Sequence, residues 1–398
     1  MLGNLSAYTL AALAVLLAVS LHGTLEVCSR TAGALPPSRA AQPHHLGSPA
    51  APPPPPQQQQ QQQQPQRPPG VGRTAVLAIS RGSDFDGVFR YASSVRRHCP
   101  DTEIVIFTDA ASLAGNAALG PMLAMYGVTV VLVTEDYVPP VARGYHPVSQ
   151  RWLVVRTWMR ARAEAAAAGR EPPIDTLMFS DARDMYFQGD PFALLEQHEG
   201  GGRGFYAFIE SHDTIGGSEW NFKWVADCFG SAGLAEIERF PVVCAGTSMG
   251  SWDDAMAYVE LICACARAGA PPPPLVAPHP SAHPAHAQTP TLFPLPPASI
   301  LLEKAFCERN GVDQGMHNYI VWAGVLEKHV SALHLVNNEE GVILNAGIMR
   351  ALERDNAGRV LTLSGVVAAA VHQYDRFPAL QAQIETANPW LQENLRLP

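Results

Sequence analysis

The 398-residue chain reads as an α/β protein with a mostly parallel sheet covered by helices on both faces, set behind an N-terminal segment of a different kind. Three observations predict this. From residue 73 onward, short apolar runs rich in β-branched residues alternate with longer segments of helical period. The runs are apolar throughout, as strands buried on both faces must be. One of them ends in a cluster of acids, at the carboxyl end of a strand where open parallel sheets bind their ligands.

The first element is LSAYTLAALAVLLAVSLHGTL, residues 5–25, which carries no Asp, Glu, Lys or Arg. About 20 apolar residues cross a bilayer as a helix, so residues 1–26 are expected to form a signal-anchor helix. The short apolar heart followed by small residues also fits a cleaved signal peptide. No basic residue precedes it and the first to follow is Arg30, so the flanking charges do not choose between the two. Residues 27–72 hold a proline run at 52–56 and a glutamine run at 57–64. Such composition buries no core and makes a disordered, extended stalk.

The globular body is expected over 73–398. RTAVLAIS (73–80) is its first strand, FDGVFRYASSVRRHCP an amphipathic helix and TEIVIFTD (102–109) a second strand. LAMYGVTVVLVTE supplies a helix end and a third strand, SQRWLVVRTWMRARAEAAAAG a long helix, and IDTLMFSD a fourth strand. GFYAFIES (204–211) and VVCAGTSMGS (242–251) have strand character. A second proline-rich block, 270–299, interrupts the body and reads as a surface-loop insertion, because patterned segments resume after it.

The net charge of −9 argues against nucleic acid or an anionic membrane surface as the main partner. It leaves room for a nucleotide held through a metal. The seven cysteines form no C-x-x-C pair and no zinc spacing.

The chemistry concentrates in LMFSDARDMYFQGDPF, residues 177–192. Buried carboxylates need partners. Asp181 and Asp184 could hold a divalent ion that shares substrate phosphates, since Mg²⁺ and Mn²⁺ take oxygen ligands. Taken as an isolated pair, they more simply cap a turn or pair with Arg183 between them. Asp190, before Pro191 and Phe192, reads as a structural cap.

This stretch resembles the metal motif of the GT-A glycosyltransferases, in which an acid-x-acid pair is followed by apolar residues and an acid before proline. Asp184 lies six residues before Asp190 and so matches the second acid of that motif. The first acid departs from it: Ala182 stands in its place and Asp181 one residue earlier. Three later segments are similar to other parts of the same fold, in the same order. VVCAGTSMGS resembles the segment beneath the donor sugar, where Gly246 would let backbone approach a ligand or simply make a turn. NGVDQGMHNYIVW (310–322) resembles an Asp-Gln segment opening a helix, with Asp313 and Gln314 positioning donor or acceptor, or with Asp313 as an N-cap. VVAAAVHQYDRF (366–377) ends a strand in His372, which would complete the metal shell or be structural. Arg151 opens the long helix and could meet the diphosphate or form a surface ion pair. Ser80 ends the first strand, which would hold the nucleotide base through backbone groups.

The resemblance implies a GT-A-like fold and a glycosyltransferase using a nucleotide-diphosphate sugar and Mn²⁺ or Mg²⁺. Asp184, His372 and Asp181 would hold the metal, and the acceptor would be a hydroxyl of a glycan, protein or lipid. The C-terminal histidine segment is most similar to retaining families. With the anchor and stalk, it implies a single-pass type II Golgi protein with a lumenal catalytic domain, or a secreted one after cleavage. A rival from another class is a non-catalytic sugar-binding or scaffold protein that keeps the fold, for which the displaced first acid speaks. A phosphohydrolase that needs Asp-x-Asp-x-Thr after a strand is disfavoured by Asp181-Ala-Arg-Asp-Met.

Overall fold

Strand β1 (Thr74–Ile79) starts a seven-stranded sheet of order β3-β2-β1-β4-β7-β6-β8. The other members are β2 (Glu103–Thr108), β3 (Val128–Leu132), β4 (Thr176–Asp181), β6 (Phe205–Thr214), β7 (Pro241–Ser251) and β8 (Leu333–Val336). A second, three-stranded sheet of order β5-β12-β9 comprises β5 (Met185–Phe187), β9 (Ile343–Asn345) and β12 (Ala370–His372). A small antiparallel pair joins β10 (Glu353–Arg354) to β11 (Val360–Leu361). The helices are α1 (Phe85–His98), α2 (Ala110–Gly115), α3 (Leu119–Met125), α4 (Pro147–Ala167), α5 (Pro191–Gln197), α6 (Glu219–Ile237), α7 (Trp252–Ala264), α8 (Val312–Trp322) and α9 (Pro378–Ala387).

These assignments come from a computed structural model that describes residues 72–82, 85–138, 140–198, 201–264, 311–349 and 351–387. All lie in one compact unit, Gln63–Pro398; the other unit, Met1–Gln62, is outside the described residues. So are the expected helix at 1–26, the stalk at 27–72 save its last residue, and the insertion at 270–299. Among the described residues no helix is long and apolar enough to cross a membrane.

Both faces of the large sheet are covered. Successive side chains of a strand point to opposite faces, and here both sets are buried. Val76, Ile104 and Met178 pack with Val88, Phe89 and Val95 of α1 and with the small sheet. Leu77, Val105 and Phe179 pack with Trp152 and Met159 of α4, Tyr258 of α7 and Met316 of α8. The turn chemistry agrees with the sequence. Asp190 Oδ1 accepts hydrogen bonds from the backbone N–H groups of Phe192 (2.9 Å) and Ala193 (3.4 Å), capping α5 with Pro191 in its first turn. Such a cap contributes about 1 kcal/mol.

One strand departs from the parallel pattern. β7 runs antiparallel to both β4 and β6, while the β1–β2, β1–β4, β2–β3 and β6–β8 pairs are parallel. Its reversal has a consequence for the site. In the β4–β7 register Ser180 pairs with Thr247, so one step further Asp181 stands opposite Gly246. The middle of β7 is thereby delivered to the carboxyl end of β4. From there the chain turns into β5 and the small sheet, where His372 pairs with Met185 on one side and Asn345 on the other.

Candidate metal centre

Asp181 is the last residue of β4, Asp184 closes the turn before β5, and His372 ends β12. The junction of the two sheets brings the three together. Gln373 N–H donates to the Asp184 carbonyl at 2.7 Å, and Ala346 N–H donates to the His372 carbonyl at 2.9 Å, pinning both residues by backbone. His372 Nε2 lies 3.6 Å from Asp181 Oδ2 and 3.6 Å from Asp184 Oδ1. Of the described residues, this trio alone forms a group of histidine and carboxylate ligand atoms close enough to share one ion.

Asp184 and His372 are buried, whereas Asp181 keeps partial exposure. Asp184 Oδ1 and His372 Nε2 are both shut off from solvent and have no hydrogen-bond partner. Unsatisfied buried polar atoms are rare and costly. Two of them facing each other at 3.6 Å fit atoms that share an ion bound at about 2.1 Å from each. The other Asp184 oxygen is engaged: Arg183 Nη2 donates to Oδ2 at 3.2 Å and lies 3.3 Å from Asp375. Pairing with Arg183 therefore occurs, but it uses one oxygen and leaves the other aimed at the histidine.

Gly246 provides the room. A Cβ at that position would fall 2.6 Å from Asp181 Oδ2 and 2.8 Å from His372 Cε1. Any side chain here would have to push Asp181 or His372 out of its present place.

Arg151 is not at the surface. It projects from α4 into the protein, where Nη1 donates to Asp181 Oδ1 at 2.5 Å and Nη2 donates to Asp313 Oδ2 at 2.6 Å. Nη2 also donates to the Ala245 carbonyl at 3.0 Å, and the guanidinium stacks 4.8 Å from the Trp152 ring. One cation thus serves two carboxylates. Asp313 lies in the first turn of α8 and is not its cap; Gly311, with φ 85°, holds that position. Gln314 locks α8 to β7, accepting from Ala245 N–H at 2.7 Å and donating to the Val243 carbonyl at 2.7 Å.

The charges follow from these contacts. Burial alone would raise the Asp181 carboxyl, but Arg151 and His372 hold it down at about 2. Burial pushes Asp313 above the ordinary carboxylate range despite Arg151. Burial opposes charge on Arg151, yet Asp313 and Asp181 raise it above its ordinary value. Burial likewise opposes charge on His372, and Cys244, Asp184 and Asp181 outweigh it, raising the ring well above the usual imidazole range. The two carboxylates thus favour a positive charge at the His372 ring between them.

Ser80 sits on the same rim, one residue beyond Ile79, which pairs with Asp181. Its N–H donates to the Phe107 carbonyl at 2.8 Å and its carbonyl accepts from Thr108 Oγ1 at 2.7 Å, so both its backbone groups are engaged within the protein.

No protein-family model matches the chain, and no curated protein matches it in sequence. Among solved structures it is similar to several glycosyltransferases and a related synthase. The galactosyltransferase LgtC, in complex with donor and acceptor sugar analogues, shares 13% identity over 79% of this chain and 95% of its own, with a TM-score of 0.44. The glucosyl-3-phosphoglycerate synthase from Mycobacterium tuberculosis, in complex with Mn²⁺, UDP and glucosyl-3-phosphoglycerate, shares 11% over 67% of this chain and 70% of its own, with a TM-score of 0.32. The mannosyltransferase PcManGT from Pyrobaculum calidifontis, in complex with GDP-Man and Mn²⁺, shares 11% over 35% of this chain and 36% of its own, with a TM-score of 0.24.

Several residues of the site escape a reading of the sequence. Glu210, in the middle of β6, takes a hydrogen bond on each oxygen, from Gln314 Nε2 at 3.0 Å and from Gln373 Nε2 at 3.2 Å. An acid inside the apolar run GFYAFIES was its only signal. Gln373 follows His372 with φ 60°, the single positive-φ residue other than glycine among those described. Such backbone costs on the order of 1 kcal/mol and persists where the surroundings over-determine it. Asn345 and Cys244 face Nδ1 of His372, and Thr247 donates to Asn345 Oδ1. Nothing in their local sequence announces that.

Proposed function

We propose that the chain is a metal-dependent glycosyltransferase that moves a hexosyl or pentosyl group from a nucleotide-diphosphate sugar to a hydroxyl of a glycan, protein or lipid. The observation that carries this reading is the facing pair of buried, unsatisfied atoms, Asp184 Oδ1 and His372 Nε2. They stand at the carboxyl end of β4, where open α/β sheets bind ligands. Asp184 and His372 would hold the ion, with Asp181 Oδ2 beside them. Carboxylates suit Mg²⁺ and Mn²⁺ alike, and the imidazole tilts the choice toward Mn²⁺. When bound, the ion would supply Lewis-acid stabilisation of the charge on the departing diphosphate.

The chain's own residues do the rest. Arg151 holds Asp181 with one oxygen turned toward His372, and holds Asp313 against the middle of β7 through its bond to Ala245. Asp313 and Gln314 thereby form a fixed wall, and Gly246 leaves the space above it open to the donor. Retention of configuration is supported by the likeness of the His372 segment to retaining families. The apolar segment 1–26 and the Pro/Gln stalk support a type II Golgi membrane protein with this body in the lumen.

A second reading, a sugar-binding protein that keeps the fold without the chemistry, finds support in Asp181, whose Oδ1 is already taken by Arg151. Hydrolysis of a panel of nucleotide sugars with and without Mn²⁺ separates the two. The enzyme reading expects Mn²⁺-dependent turnover of at least one donor, falling at least about 100-fold in Asp184→Ala. A folded wild-type chain that neither binds nor hydrolyses any donor in Mn²⁺ would overturn it.

A further inference from the structure

Building on the metal reading above, we propose that Asn345 is a positioning residue: its side-chain amide dictates which nitrogen of His372 is bare, and so decides whether the ring can bind metal. The ring has two nitrogens with different surroundings. Nε2 faces Asp181 and Asp184. Nδ1 faces Asn345 Oδ1 at 2.9 Å, with Cys244 Sγ at 3.5 Å.

A neutral imidazole carries one proton, and the nitrogen without it is the one that binds a metal. An amide oxygen only accepts. With Asn345 Oδ1 against Nδ1, the proton that stays on the ring when it binds metal is the one on Nδ1, and Nε2, facing the two carboxylates, is the nitrogen left for the ion. Turned over, the amide would offer N–H to Nδ1, drive the proton onto Nε2 and close the ring to metal.

A backbone carbonyl decides which way the amide lies. Asn345 Nδ2 donates to the Ile209 carbonyl at 3.3 Å, and Thr247 Oγ1 donates to Oδ1 at 3.3 Å. The carbonyl cannot donate, so the turned-over amide would set two oxygens against each other. Ile209 lies where the β6–β7 register slips on both of its sides. Asn345 is itself held at the end of β9, where its N–H donates to Asn338 Oδ1 at 2.8 Å and it pairs with His372 across the small sheet. Asn345, Thr247 and His372 are all fully or almost fully buried, so these contacts lie inside the protein. The order of control runs from the Ile209 carbonyl through the Asn345 amide to the lone pair of His372.

Mn²⁺ affinity of the full chain, read by titration calorimetry and by loss of free-Mn²⁺ paramagnetic resonance, tests this without any turnover. Asn345→Leu keeps the volume and removes the acceptor. It should weaken Mn²⁺ binding about 10- to 100-fold, the usual cost of losing such an outer partner. Asn345→Asp restores an acceptor to Nδ1–H and should bind Mn²⁺ at least as tightly as wild type. Should the leucine variant not fold, Asn345→Ser, too short to reach the ring, carries the same expectation. Folding is checked by the metal-free melting temperature, which a purely structural role would move without touching affinity in the folded fraction. Wild-type affinity in a folded Asn345→Leu or Asn345→Ser variant would overturn the proposal. So would an Asn345→Asp variant as weak as Asn345→Leu. If instead His372→Ala binds Mn²⁺ as wild type does, the metal reading fails and the role of Asn345 fails with it.

Discussion

Asp184 Oδ1 and His372 Nε2 stand 3.6 Å apart inside the protein, each closed to solvent and each without a hydrogen-bond partner. Asp184 comes from the turn after a strand of the large sheet, and His372 from the end of a strand 188 positions later. Two sheets meet so that these atoms face one another. Here the carboxylates favour a charged ring, and a divalent ion shared by the two atoms would take over that place.

Gly246 should be a sensitive position for metal although it is not itself a ligand. In Gly246→Ala the new methyl would sit 2.6 Å from Asp181 Oδ2 and 3.0 Å from His372 Nε2. Mn²⁺ affinity should fall at least about 10-fold, as for loss of a well-placed ligand contact. The metal-free melting temperature should change far less, because Asp181 keeps partial exposure and can swing aside. Unchanged Mn²⁺ affinity would show that the ion does not lie above Gly246.

Arg151 should be worth more to stability than to metal binding. Arg151→Met leaves Asp313 buried beside Asp181 with the shared cation gone. Breaking a buried pair by removing one partner costs about 3–5 kcal/mol. Adding Asp313→Asn removes one orphaned charge and should recover part of the loss. Urea unfolding of the single and double variants measures this. A double variant no more stable than Arg151→Met would mean that the two residues are not coupled.

His317 should make the fold sensitive to acid. Its Nδ1 lies 2.9 Å from the Tyr258 hydroxyl on α7, and burial, with Arg151 nearby, holds the ring down at about 3. The unfolded ring titrates near about 6.5, so below that pH the unfolded chain binds a proton that the native chain refuses. The ring's contribution is complete above about pH 6.5 and is lost as pH falls toward 3, with a slope approaching about 1.4 kcal/mol per pH unit. His317→Gln should flatten the wild-type decline across that window in urea unfolding. An identical slope in the variant would remove His317 from the account.

Much of the site was legible because it is local. The resemblance of the Asp184-to-Asp190 spacing to the GT-A motif set a candidate ligand apart from a cap, and the cap is seen at the start of α5. The strand runs were legible because burial on both faces leaves an unbroken apolar pattern. The reversal of β7 was not, since an antiparallel strand buried on both faces reads like a parallel one. Arg151 illustrates the larger gap. A helix-opening arginine looks exposed in sequence, and only packing against Asp181 and Asp313, 30 and 162 residues away, makes it a buried bridge. Asn345 was silent for the same reason, since its partners come from β6, β7 and β12.

Anomalous diffraction at the manganese edge, from crystals of the chain grown with Mn²⁺ and UDP, tests the central claim most directly. The account predicts one strong peak within about 2.3 Å of both Asp184 Oδ1 and His372 Nε2, with UDP phosphate oxygens completing the shell. Bound UDP with no manganese between Asp184 and His372, or manganese held elsewhere, would contradict it.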